Sequence, residues 1–414
     1  MNEKLKEFFY LVLVFGLSFL LFATEIKLNP LDFLNVDERI WIDRSQIYVE
    51  NFINYNFVGG LQTIHPGITV MALSGLSIYI YTFYAETMNG PMLLYFFNIP
   101  IIIYISLFFF ILYFLLKKLK FNKALSLLIV MLIFSNSYYI TSSSPVDKFS
   151  TISILLSLLF LIVYTNQGYK YKKYLFWSSF FASFAILSKL SALIVVPFSL
   201  FVLLYYSQLN YKKIRGAFND YFYYLFYILI TSLILFPGFI FNPILSLQKI
   251  FSRNNNVLIS GTETERIAIL SFDEKIYKYS SIWESSIVAP ITLIFFILFL
   301  IFCFRKTLLH GLNFKISSKN IFYKNIFILL LFSVIYFMFV TYFASLVFYR
   351  YMMLSVIIID ICAAIGIYRI LLFYKERISS KFTINNLVVK FIVIFFLYKI
   401  LYLIMLSNFV SPVI

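Results

Sequence analysis

Two adjacent acids, in the run Asn35-Val36-Asp37-Glu38-Arg39, are the first residues of this chain whose type and spacing could carry chemistry. They open a stretch in which Ile40, Trp41, Ile47, Tyr48, Phe52 and Tyr55 recur at helical spacing, with Asp43, Gln46, Glu50 and Asn54 opposite them. That pattern predicts an amphipathic helix lying in a membrane interface. A carboxylate at a helix N-terminus is held ionised, and an ionised carboxylate facing a hydroxyl can take its proton as a general base. Asp37 and Glu38 could also hold a divalent cation, with His65 as a third ligand. A structural reading accounts for the acids as well: Asn35 can cap the helix and Glu38 can close a capping box.

Cations form a second set. Lys189 interrupts an apolar hairpin in Leu187-Ser188-Lys189-Leu190-Ser191, and Arg350-Tyr351 stands near the start of another apolar run. Ionisable residues in such runs are costly and are functional hypotheses by default, although a lysine near a helix end can snorkel to water. Two cations at one depth suit a phosphate, which arginine can grip bidentately. Arg39 and His65 are further candidates for binding a charged substrate, but a lone histidine is more often structural. Asp147, in Ser144-Pro145-Val146-Asp147-Lys148, brings a second carboxylate, or simply caps the helix that follows. Asp360 lies about 15 Å beyond Arg350 along a helix, too far to pair with it. His310 sits in a basic loop and has no evident role.

The elements that position these residues must lie in lipid. Of 414 residues 62% are apolar and only 13% are charged, with a mean hydropathy of +0.91; a soluble domain needs roughly a quarter charged. Apolar runs occupy 8–24, 64–84, 94–116, 124–140, 149–165, 174–190, 191–206, 221–241, 286–304, 325–342, 346–373 and 388–407. Each approaches the roughly 20 residues a helix needs to cross a bilayer, and helices satisfy their own backbone there. The expected fold is therefore all-α and integral to the membrane, a single polytopic domain over 1–414. The net charge of +16 does not point to nucleic acid, because the basic residues sit in short clusters between apolar runs. Cys303 and Cys362 both fall in apolar runs and imply no disulfide.

Those basic clusters set the topology. Counting all twelve runs as spans, with the N-terminus inside, puts Lys117–Lys123, Lys170–Lys173, Lys212–Arg215, Arg305–Lys324 and Lys375–Lys381 outside. Removing 64–84 from the count moves all of them inside, leaving 22 Lys+Arg and 4 Asp+Glu on the inner side against 9 and 13 outside. The positive-inside rule favours this eleven-span arrangement. Residues 64–84, weakened as a helix by Pro66, Gly67 and Gly75, are then expected to form a re-entrant or steeply tilted interfacial hairpin on the outer face. The outer side receives a first loop over 25–93, a second over 141–148 and a large polar loop over 242–285. Residues 8–24 read as an uncleaved anchor in the cytoplasmic membrane, with the N-terminus cytoplasmic.

In order along the chain, Asp37-Glu38, His65-Pro66-Gly67-Ile68-Thr69, Asp147 ahead of Ser150 and Thr151, Leu187-Ser188-Lys189-Leu190-Ser191-Ala192-Leu193, Phe236-Pro237, Asn242-Pro243, Pro290 and Arg350-Tyr351 resemble the motifs of the GT-C superfamily of membrane glycosyltransferases. The nearest groups are the protein O-mannosyltransferases and the bacterial aminoarabinose transferases that act on lipid A. The resemblance implies a GT-C-like bundle, a polyprenyl-phosphate sugar as donor, and transfer with inversion to a glycan, lipid or protein acceptor on the extracytoplasmic face. It implies Asp37 as general base or metal-associated acid, Asp147 as the second acid, and Lys189 and Arg350 as phosphate contacts. The chain departs from members with a soluble C-terminal domain, since none is expected after its last span. A transporter or flippase of lipid-linked sugars, and a polysaccharide polymerase or ligase, are the competing readings; a transporter predicts polar residues spread through the mid-membrane.

Overall fold

The computed structural model describes residues 36–59, 67–84, 90–135, 145–209, 214–249, 294–301, 318–343 and 352–377, with a few isolated residues besides. All regular structure among them is helical. The helices are α1 (Val36–Ile53), α2 (Ile68–Tyr84), α3 (Gly90–Lys118), α4 (Lys123–Ser135), α5 (Pro145–Asn166), α6 (Lys172–Ser188), α7 (Val195–Leu209), α8 (Ile214–Leu235), the short α9 (Gly238–Phe241), α10 (Ser318–Phe343) and α11 (Met353–Arg377). A 3₁₀ turn, Leu190–Ile194, joins α6 to α7.

Among the described residues, six stretches are long and apolar enough to cross a membrane: Met92–Lys118, Pro145–Asn166, Leu190–Ser207, Ile214–Leu235, Lys324–Tyr342 and Met353–Glu376. They match the runs read at 94–116, 149–165, 191–206, 221–241, 325–342 and 346–373, so the protein is a multi-pass, all-α membrane protein. The anchor at 8–24 and the run at 388–407 lie almost wholly outside the described residues.

Side-chain pairs give the helix directions. Asp147 meets Lys189, Ser157 meets Ser178, and Phe160 stacks on Phe181 with centroids 5.6 Å apart, so α5 and α6 are antiparallel. Phe198 packs on Phe332 and Tyr206 bonds Asn325, which makes α7 and α10 antiparallel. Lys172 with Asp220 and Phe176 with Tyr227 run α6 and α8 in parallel. Tyr104 of α3 stacks on Phe149 and meets Ser153 at 2.5 Å, near the start of α5. Asn122, between α3 and α4, bonds Tyr368 late in α11. The bundle thus has one end carrying Asp147 and Lys189 and another carrying Lys117–Lys123, Lys170–Lys173, Arg215, Lys324 and Lys375.

The centre is α5, in which Pro145 through Thr165 are all buried. A helix buried all round belongs in the core of a bundle, and Ser150, Thr151, Ser153 and Ser157 let neighbours approach it closely.

Two expectations need correction. The hairpin over 64–84 does not form; Ile68–Tyr84 is one unbroken helix. Pro66 and Gly67 precede it, and Gly75 serves packing, since a Cβ there would lie 2.5 Å from the Ser45 carbonyl of α1. The helix does not run down the bundle. It begins against Ser188 at the end of α6, and its Tyr81 stacks on Phe96 in the second turn of α3, so both its ends stay near the Asp147 end. The second correction concerns the face of α1. Trp41, Ile42, Ser45, Tyr48 and Val49 are buried against α2, while Ile40, Phe52 and Tyr55, expected on the same stripe, are exposed. Phe52 keeps to the buried face, its ring stacked on Tyr48, but is exposed near the helix end, and Tyr55 lies beyond Ile53.

Candidate functional site

The site is built where α6 breaks. Lys189 follows the last residue of α6 in an extended conformation (φ −152°, ψ 129°), with its N–H still donating to Ala185 O at 2.8 Å. The chain then restarts as the 3₁₀ turn. That single extended residue turns the Lys189 side chain toward α5, where Nζ donates to Asp147 Oδ1 at 2.5 Å. Both side chains are buried, 8% and 7% exposed. Asp147 lies in the first turn of α5, behind Pro145 at the helix start, where proline is tolerated and a negative charge complements the dipole. Lys148, the next residue, is also buried, at 6% exposed. Two ammonium groups and one carboxylate therefore share the buried first turn of α5 and the break after α6.

The segment carrying Gly67-Ile68-Thr69 docks on this break. Gly67 N–H donates to Ser188 O at 3.1 Å, and the Thr69 and Ser188 hydroxyls share a hydrogen bond between residues 119 apart in sequence. Ser188 Oγ also donates to Phe184 O at 2.7 Å. Gly67 is demanded twice: its φ is +53°, and a Cβ would meet the Trp41 ring at 2.3 Å. Trp41 of α1 thus lies over the backbone that bonds Ser188, with the Arg44 guanidinium 5.1 Å from its ring centroid. Lys249 Nζ donates to Val58 O at 3.0 Å and Phe57 stacks on Phe241, which ties the far end of α1 to the chain after α8. The Tyr48 hydroxyl, buried between α1 and α2, has no hydrogen-bond partner, and burial pushes its pKa up, so it stays protonated.

Three motifs read separately in the sequence meet here, and the backbone of a fourth lies one helical turn from Trp41. Asp147 and Lys189 are in direct contact. Gly67 and Thr69 are bonded to the residue before Lys189. The backbone of Asp37, Glu38 and Arg39 forms the first turn of α1, one turn before Trp41. The side chains of those three residues, with His65, Arg350 and Tyr351, lie outside the described residues, as does the metal set of Asp37, Glu38 and His65. The chain resumes at Met352, entering α11 at the Asp147 end. Among the described residues no three His, Cys, Asp or Glu side chains come together. Sequence reasoning missed Lys148 and Trp41 as neighbours of this cluster and quoted Thr69 and Ser188 only within their motifs. A lysine beside Asp147 at the entry to an apolar helix was a usable signal; the Ser188 contact was not.

No protein-family model matches the chain, and no curated protein matches it at a significant level.

Proposed function

We propose that the protein is a membrane glycosyltransferase that moves a sugar from a polyprenyl-phosphate donor to a hydroxyl acceptor at the Asp147 end of the bundle. The observation that carries this reading is the buried Lys189–Asp147 pair, locked to the Gly67-Ile68-Thr69 segment through Ser188. Basic clusters crowd the opposite end, so by the positive-inside rule the Asp147 end faces away from the cytoplasm. A polyprenyl chain lies in the bilayer and leaves its charged head at that interface.

The chemistry follows from charge. The bond from the anomeric carbon to the phosphate oxygen breaks, the phosphate keeps the electron pair, and the acceptor oxygen bonds the opposite face of that carbon. Lys189 and Lys148 offset the charge growing on the phosphate, a preorganised stabilisation that strengthens where water is excluded. Asp147 holds the Lys189 ammonium in place. Asp37 takes the acceptor proton as general base. Arg350, Tyr351, Arg39 and His65 complete the donor site in this reading. A divalent cation held by Asp37, Glu38 and His65 would supply further positive charge.

One observation favours a second reading, a transporter of lipid-linked sugars: hydroxyls are buried along the whole of α5, and a second ion pair, Lys172–Asp220, stands at its other end. Those with partners, however, mostly bond hydroxyls of neighbouring helices: Ser153 meets Tyr104 at 2.5 Å and Ser157 meets Ser178 at 3.3 Å and Tyr224 at 3.4 Å. They join helices rather than line a passage.

Replacing Asp37 with Asn tests the enzyme reading. Transfer from a polyprenyl-phosphate sugar in membranes should fall about a hundredfold or more at equal protein level, the scale of a lost general base. Undiminished transfer removes Asp37 from the mechanism, and sugar movement without transfer selects the transporter.

A further inference from the structure

The lysine-rich end of the bundle holds a donor cluster that sugar transfer does not use. Lys324 and Asn325 are consecutive residues near the start of α10, 7% and 1% exposed, and neither Lys324 Nζ nor Asn325 Nδ2 has a hydrogen-bond partner. The Asn325 carbonyl oxygen is taken, accepting from the Tyr206 hydroxyl of α7 at 2.5 Å. What remains are donors only. The buried carboxylate of this end, Asp220, is engaged by Lys172. An ammonium buried without a counter-charge is among the costliest groups a fold can hold, and an unanswered amide beside it adds to that cost. An oxyanion that reaches either group relieves its penalty, and one that reaches both relieves both.

The position selects the kind of anion. Lys324 stands directly before the apolar run 325–342, which places it at headgroup depth. From there a stripe of outward apolar side chains continues down α10 at helical spacing: Phe327, Val334 and Met338, all exposed. A charged head at Lys324 and acyl chains along that stripe describe one molecule. We propose that Lys324 and Asn325 bind the phosphate of an anionic phospholipid from the leaflet at the lysine-rich end, with the acyl chains lying along the Phe327–Met338 face. The proposal stands on membrane residence and does not depend on the transfer reaction.

Thermal unfolding of the purified full chain in neutral detergent tests it, with phosphatidylglycerol, phosphatidylcholine or inorganic phosphate added. Phosphatidylglycerol should raise the midpoint; phosphatidylcholine and inorganic phosphate should not. Lys324→Met should weaken the apparent phosphatidylglycerol affinity about tenfold or more, the scale of a lost charge-assisted hydrogen bond. Without lipid it should unfold at the wild-type temperature or above, because an uncompensated charge has gone. A wild-type midpoint insensitive to phosphatidylglycerol, or a Lys324→Met shift equal to wild type, overturns the proposal. An equal shift from inorganic phosphate overturns the lipid as the source and leaves a free-anion site. If Lys324→Met does not accumulate, Lys324→Arg should keep the shift and Asn325→Leu should reduce it. An unchanged shift in Asn325→Leu then overturns the site.

Discussion

An acid–base pair stands at each end of α6, reaching α5 at one end and α8 at the other, and the two pairs are built differently. At one end Asp147 and Lys189 are both buried, on two helix termini, with Lys148 beside them. At the other, Asp220 is buried but Lys172 is 45% exposed and lies over the rings of Tyr164 and Tyr223. An exposed lysine over aromatic rings is an anchor at a water boundary, adding about 1 kcal/mol or less. A pair closed off from solvent is weak evidence for stability, since desolvation cancels much of its attraction. The difference marks the Asp147 end as the place where stability is given up for a charge arrangement.

Four substitutions separate the two ends. Lys189→Met should have the largest effect, leaving Asp147 buried without its cation at about 3–5 kcal/mol, and abolishing transfer. Thermal unfolding of the single variants and of the double variant Asp147→Leu/Lys189→Met measures it; the double variant should be more stable than either single one. Gly67→Ala should come next, at about 2 kcal/mol, because it adds a Cβ at positive φ and against Trp41. Trp41→Ala in the same chain should recover part of that loss, though not the backbone strain. Thr69→Val should cost about 1 kcal/mol by removing the Ser188 hydrogen bond, with transfer reduced more than stability. Lys172→Met should be smallest, about 1 kcal/mol or less, with transfer unchanged. If Lys172→Met proves as damaging as Lys189→Met, the contrast between the two ends fails.

Six of the spans were readable among the described residues because lipid demands apolar length, and length survives without knowledge of neighbours. What failed were the inferences in which one residue type served two ends. Gly75 weakened residues 64–84 as a helix on propensity, yet in a close-packed membrane helix glycine admits a neighbouring backbone, here at Ser45. Phe52 shares the face of Trp41 and Tyr48, its ring stacked on Tyr48, yet it is exposed near the end of α1, and Tyr55 lies beyond that end. Periodicity assigns a face but not how far along it a neighbour reaches. The Asp147–Lys189 contact joins residues 42 apart and is set by where α6 breaks, which no local pattern states.

The side of the membrane is open to a direct check as well. A cysteine in place of Lys120 should resist an impermeant thiol reagent added from outside cells. Ready labelling would turn the Asp147 end toward the cytoplasm and remove the outer-face site from the account.

The most direct measurement is single-turnover transfer from a polyprenyl-phosphate sugar in membranes holding equal amounts of wild type, Asp147→Asn and Lys189→Met. Transfer by the wild type, with a loss of about a hundredfold or more in both variants, is the predicted result. Wild-type rates in a folded Lys189→Met protein would contradict it, since the buried pair would then serve the fold and not the leaving phosphate.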